Sequence, residues 1–383
     1  MSAESAATRR SRPWIETAWR DEGGGIAAWL LRPLSLVYAL LAGGARFFAA
    51  RSRRSLGGVT VIAIGGLAVG GAGKTTLARW AAKECLSKGL RPAILLRGHR
   101  SDAASGAPRV VPADLQMGAD ALGDASRFGD EALAHRAALP AGALVVVGAD
   151  RFEAARLARA GGANLILLDD GWEQSTLAWD ALWVAVDPLR PFANGWTLPA
   201  GPLRRPPSNL NQASAIVTIA ESPDEADAPL EPGLLAAAGE VPIVRFARSA
   251  ETWSRAPGDA EEGRGTGPPR GPVLLVSSVG APERLERFAR GAGLDVAAHL
   301  AFADHGEWDA AQVARAAAPL GVRSEAALVA CDKDAGRAAH LGDVGLPIWI
   351  LATGLQPIDD PEPLLDALRP PEGAPMAAGV PIG

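Results

Sequence analysis

The sequence predicts an α/β fold: a mostly parallel sheet flanked by helices, followed by a second, smaller α/β unit and preceded by an apolar helix. Three observations predict it. Short runs rich in Val, Ile and Leu alternate with stretches of helical character, as buried parallel strands alternate with crossover helices. One alternation, residues 59–89, carries a glycine loop between its strand and its helix. The chain has 383 residues, 48% of them apolar, which is more than one core of ordinary size uses.

The first element spans residues 26–50, strongly apolar but interrupted by Arg32-Pro33, Gly43-Gly44 and Arg46. Its uninterrupted part is too short to span a bilayer, which takes about 20 residues. Arg51, Arg53 and Arg54 follow. Two readings stand. In one, Trp29, Leu30, Leu34, Val37, Tyr38, Phe47 and Phe48 enter acyl chains while the arginines meet lipid phosphates. In the other, the segment is a buried helix pair packed on the core. The N-terminus lacks the pattern of a secretory signal, so export is not expected.

Strands are expected at residues 59–66, 92–96, 143–147, 164–168, 181–186 and 215–219, and a second strand and helix set at 272–292, 327–338 and 346–352. Stretches 101–124, 222–233 and 255–272 are rich in polar residues, Pro and Gly and read as loops. The implied division is a membrane-associated segment 1–55, a main unit 56–250, a linker 251–272, a C-terminal α/β unit 273–368 and a disordered tail 369–383. The formal net charge of -5 offers no global cationic field, and basic residues do not interleave with stacking aromatics, so no nucleic-acid partner is expected. Cys85 and Cys331, far apart, make neither a disulfide framework nor a metal site.

The chemistry begins in the glycine loop. Backbone N–H groups of Val69, Gly70, Gly71, Ala72 and Gly73, with Lys74, Thr75 and Thr76 opening the helix, suit a nucleotide's phosphates. Lys74 neutralises the terminal phosphates and the Thr75 hydroxyl ligates Mg²⁺. Ala68 stands where the general pattern has its first glycine, but the preceding strand and following helix restore the context, and the main unit reads as P-loop NTPase-like. The apolar run 165–168 then ends in Asp169 and Asp170, placed either to hold Mg²⁺ or to cap the next turn. No Asn-Lys-x-Asp motif marks a guanine-nucleotide switch, and Val69 occupies the place of the second lysine of another ATPase class. A kinase of a small or lipidic substrate is what these residues leave.

At this point the residues resemble the tetraacyldisaccharide 4′-kinase family. The motifs are VGGAGKT (69–75), LLRGHR (95–100), GDEA (129–132), LLDDG (167–171), NGWTLPAGPLR (194–204), SSVGAPERL (277–285), FADH (302–305) and DKDAGR (332–337). The resemblance implies transfer of the γ-phosphate of ATP, with Mg²⁺, to the 4′-hydroxyl of a lipid A disaccharide 1-phosphate at the cytoplasmic face of a bacterial inner membrane. The enzyme would be peripheral or monotopic, and a monomer. It also implies Asp130 as proton acceptor with His305 as its partner, and Thr75, Glu131 and either Asp169 or Asp170 as the Mg²⁺ shell. Arg97, Asn194 and Arg204 are candidates for the headgroup, or else turn and salt-bridge residues.

Three departures stand out. Where the family continues Asp-Asp-Gly-Phe-Gln-His, this chain has Trp172-Glu173-Gln174; an acid that commonly follows Pro-Leu-Arg is Arg205; and Cys331-Asp332 replaces a Thr-Glu pair. An acid gained beside the metal and a charge reversed near the headgroup are expected to alter rate or substrate. A kinase of another glycolipid or sugar, and a catalytically silent nucleotide-gated membrane protein, are the alternatives.

Overall fold

Residue 19 and residues 25–370 are described in the computed structural model, apart from 99–100, 103–105, 114, 116–120, 257–266, 304–305 and 324. Their strands are β1 (Thr60–Gly66), β2 (Pro92–Leu96), β3 (Arg109–Val110), β4 (Leu144–Val147), β5 (Leu165–Leu168), β6 (Ala181–Val186), β7 (Ala215–Ala220), β8 (Ile243–Arg255), β9 (Val273–Ser277), β10 (Val296–Ala301), β11 (Ala327–Cys331) and β12 (Ile348–Pro357). They join in one sheet of order β10-β9-β11-β12-β8-β7-β6-β1-β5-β2-β4-β3. Pairing is parallel except for β8 with β12 and β3 with β4.

Every residue of β1, TVIAIGG, is buried, because β5 and β6 flank the strand and helices cover both faces. Ile62, Ile64 and Leu77 sit in the core on one face, and Val61, Leu95 and Ile166 on the other. Each such side chain contributes about 1.5–3 kcal/mol of burial. The C-terminal strands carry two further clusters, around Leu274 and Leu328 on one face and around Leu275 and Val329 on the other.

Four local expectations are corrected. The apolar N-terminal segment is one unbroken helix, α1 (Gly25–Arg51), which continues through Pro33 and both glycines. It is therefore not the helix pair, and its stretch Ala28–Arg51 is long and apolar enough to cross a bilayer by length and composition. The loop read over 101–124 contains β3 and the start of a helix, Ala121–Phe128. The loop read over 222–233 holds a short helix, Pro223–Asp227, and the start of another, Pro232–Ala238. Finally, β8 carries the sheet across residue 250, pairing with β7 through its first half and with β12 from Phe246 onward. The tail from 371 lies outside the described residues.

Candidate active site

Gly73 ends the phosphate loop in the left-handed region, with φ 90°, and opens the helix Lys74–Ser87 with no side chain capping the first turn. A Cβ there would stand 2.7 Å from Ile219 Cδ1, so glycine is required. The exposed amides of a helix start favour an anion at this point. The NGWTLPAGPLR segment forms one wall of the loop: Val69 N–H donates to the Pro202 carbonyl (2.8 Å) and Arg204 N–H to that of Leu67 (2.6 Å). A motif recognised only by resemblance thus lies in backbone contact with the motif whose chemistry is general.

The two acids after β5 have different partners. Asp170, at φ 51°, meets Lys74 Nζ at 2.8 Å and takes both its oxygens to Arg204 Nη1 at 3.0 and 2.8 Å. Burial favours its protonated form, but Lys74 and Arg204 override this and hold the carboxyl below its ordinary range. Asp169 is buried, and its Oδ2 lies 3.0 Å from Nε2 of fully buried His135. Burial alone would raise the Asp169 carboxyl; the His135 hydrogen bond and the charges of Lys74 and Lys333 bring it down to about 2. Burial also pushes His135 below the ordinary histidine range, so the neutral ring donates Nε2–H to the carboxylate.

Asp130 begins the helix Asp130–Ala138, and Glu131 follows it in the first turn. Arg337 of the DKDAGR segment reaches across from the C-terminal strands and places Nη2 2.5 Å from Asp130 Oδ2. Asp332 of the same segment pairs with Arg79 of the phosphate-loop helix. Arg97 is exposed just beyond β2, the strand whose Leu95 carbonyl accepts from Asp169 N–H at 3.1 Å. Asn194 is engaged within its own loop: Nδ2 donates to the Ala200 carbonyl (2.9 Å) and Oδ1 accepts from Trp196 N–H (3.1 Å). His305, the expected partner of Asp130, lies outside the described residues. His135, Arg79 and Arg337 carry no local sequence signal of their own role, since their contacts join segments distant in the chain; the DKDAGR motif alone points to the last.

The departures pair with each other. Glu173 accepts from Arg205 Nε at 2.6 Å and from Arg46 Nε at 2.9 Å, so the acid and the base that depart from the family pattern pair with one another. Gln174 caps a turn, its Oε1 accepting from the amides of Thr176 and Leu177 at 2.9 Å.

Among the described residues no three His, Cys, Asp or Glu side chains converge as a cage for a metal. Mg²⁺ rarely needs one: it keeps waters and takes one or two carboxylates plus substrate phosphates. The buried Thr75 hydroxyl at the helix start and Asp169 at the end of β5 fit that donor set. Helix α1 is stitched to the same wall. Ser35, fully buried, donates from Oγ to the Thr197 carbonyl (2.8 Å) and accepts from Ala200 N–H (2.9 Å), while Arg46 Nη2 donates to the Arg204 carbonyl (2.8 Å). Its opposite side is apolar and exposed, with Leu40 at 77%, Leu41 at 71% and Phe48 at 71%.

Residues 27–370 match the family model described as tetraacyldisaccharide-1-P 4′-kinase. A tetraacyldisaccharide 4′-kinase of Chromobacterium violaceum is 34% identical over 347 residues, covering 88% of this chain and 92% of the relative. That of Anaeromyxobacter dehalogenans is 36% identical over 348 residues, covering 85% and 87%. Among solved structures, LpxK from Aquifex aeolicus in complex with ATP superposes with a TM-score of 0.66 at 21% identity, covering 90% of this chain and 98% of that one, a likeness of fold.

Proposed function

The chain belongs to the tetraacyldisaccharide-1-P 4′-kinase family, and on that premise we propose how its own residues move the γ-phosphate of ATP to the 4′-hydroxyl of a tetraacylated disaccharide 1-phosphate. The observation that carries the reading is the Lys74–Asp170–Arg204 cluster, which joins the phosphate loop to the NGWTLPAGPLR wall. Transfer of a phosphoryl group asks a protein mainly to align and to neutralise.

Asp170 holds Lys74 ready beside the loop, and the terminal phosphates of ATP take its place on the ammonium. Thr75, Glu131 and Asp169 would hold Mg²⁺, which would supply neutralisation of the negative charge of the phosphates. Asp130 accepts the proton of the 4′-hydroxyl as that oxygen bonds to the γ-phosphorus and the bond to ADP breaks. Arg337 must yield Asp130 first, since its guanidinium occupies the carboxylate oxygen that the hydroxyl has to reach. His305 serves Asp130 by taking the proton onward. Arg97 and Arg204 meet the headgroup, and Asn194 shapes the loop that presents Arg204.

The acyl chains stay with the exposed face of α1, seated from the cytoplasmic side on a bacterial inner membrane. We divide the chain into a phosphate-loop unit, 56–250, and a smaller unit, 273–368, with β8 running on past residue 250 as the strand that joins them and the headgroup between the two. A substrate panel tests the reading. The purified chain in detergent micelles receives ATP, Mg²⁺ and either the tetraacylated disaccharide 1-phosphate, its deacylated form or another glycolipid. Labelling of the tetraacylated disaccharide far above the others supports it; preference for another acceptor overturns it.

A further inference from the structure

We propose that His135 is a positioning residue for the metal-binding carboxylate, fixing Asp169 through one buried hydrogen bond; this rests on the reading that Asp169 takes Mg²⁺. His135 is completely buried in the helix Asp130–Ala138, the helix whose first turn presents Asp130 and Glu131. Its Nε2 stands 3.0 Å from Asp169 Oδ2, and its Nδ1 has no hydrogen-bond partner among the described residues. Those two facts fix the tautomer. With the proton on Nδ1, Nε2 would turn a lone pair toward a carboxylate oxygen and leave a donor buried and unmade. With the proton on Nε2, one good bond forms and only an acceptor lone pair goes unused.

An orphaned nitrogen deep in a core is a cost that packing alone does not explain, since an aliphatic side chain would fill the same space without it. What the imidazole adds is direction. A short carboxylate turns freely about its last bond, and a hydrogen bond to Oδ2 leaves Oδ1 as the oxygen available to a metal or its water. Outer partners of this kind orient ligating groups, and their loss lowers metal affinity by about 10–100-fold. The same helix also carries Asp130, so one rigid element sets the proton acceptor and the orientation of the metal carboxylate.

The test reads metal binding apart from turnover. Free Mn²⁺ is measured by electron paramagnetic resonance as it is titrated into the full-length protein with a non-hydrolysable ATP analogue, and analogue binding is measured separately without metal. His135→Leu removes the bond and keeps the bulk; His135→Gln can return an amide N–H to the Nε2 position. The expected result is a roughly 10–100-fold loss of Mn²⁺ affinity in His135→Leu, metal-free analogue binding unchanged, and recovery of most of the loss in His135→Gln.

Mn²⁺ affinity in His135→Leu within about threefold of the wild type would overturn the proposal, given the size of effect such partners have. So would a folded His135→Gln as defective as the Leu variant, for then bulk and not the bond is at issue. Should the Leu variant fail to fold, the Gln variant decides alone: wild-type affinity supports the bond and a full loss overturns it. Asp169→Asn is the separate control, since unchanged Mn²⁺ affinity there sinks the metal reading of Asp169 whatever His135 does.

Discussion

Glu221→Ala should weaken both the fold and the hold on ATP, because Glu221 is the buried link between the C-terminal strands and the phosphate loop. The carboxylate, 2% exposed, receives Arg248 Nε at 2.8 Å and Arg284 Nε at 2.6 Å. Burial raises its proton affinity, but the two arginines override this and keep it ionised. Arg284 belongs to the helix Pro282–Gly291 yet donates to the carbonyls of Gly71 (3.2 Å) and Ile219 (2.7 Å), and Arg248 reaches the Thr76 hydroxyl at 3.3 Å. Without Glu221, Arg284 keeps its contact with Asp187 at 3.2 Å. Removing one partner of such a buried pair costs about 3–5 kcal/mol. Loss of an aligned charge-assisted bond to the loop, worth about 1.5–3 kcal/mol, should weaken ATP by roughly tenfold or more. Urea unfolding followed by tryptophan fluorescence gives the first quantity and calorimetric ATP titration the second. Arg284→Met should cost much less in the Glu221→Ala background than alone, since the two act as one unit. A Glu221→Ala stability within about 1 kcal/mol of wild type would mean that Glu221 is not a buried anchor for the two arginines.

Other perturbations give equally direct outcomes. Lys74→Ala should lower the transfer rate by roughly 10²–10³-fold with an unchanged melting curve, checked by phosphate release and circular dichroism. Stability should fall as pH drops below the ordinary histidine value of 6.5, because the unfolded chain binds protons that buried His135 and His299 refuse; it should fall again toward pH 2 as Asp169 is protonated. Melting temperatures across that range test the sign. Arg205→Glu sets two acids side by side and should destabilise, while Glu173→Arg with Arg205→Glu restores their attraction, read from urea midpoints in a double-mutant cycle. Ser35→Ala strands the Ala200 amide and should cost about 1–3 kcal/mol. It should also raise KM for the lipid more than KM for ATP.

The legible parts of this molecule are those whose causes are local. A buried strand, a glycine loop and a helix start follow one another within residues 60–87, so β1, the loop and Lys74 could be placed from their neighbours alone. The run 165–168 with its two acids was equally plain. Edge and half-exposed strands were not: β10, VAAHLA, and β8, IVRFARSAETWSR, mix polar and apolar residues without the continuous run that marks a strand buried on both faces. Pro33 and the glycines looked like breaks in α1, where the helix in fact runs on. The pairs Asp169 with His135 and Asp130 with Arg337 span 34 and 207 residues, and only the packed sheet brings them together. Glu173 and Arg205, read separately as departures, became one compensated pair once the fold brought them together.

We assign to this chain the phosphorylation of the 4′-hydroxyl of a tetraacylated disaccharide 1-phosphate through Lys74 and Asp130. Its most direct test is transfer of ³²P from γ-labelled ATP in the presence of Mg²⁺, comparing wild type with Lys74→Ala, Asp130→Ala and His305→Ala, and locating the new phosphate by NMR of the product. A labelled bisphosphate carrying its new ester at the 4′ position, with most activity lost in all three variants, is the predicted result. A wild-type chain that binds ATP but labels no lipid, or an Asp130→Ala variant of full activity, would contradict the account.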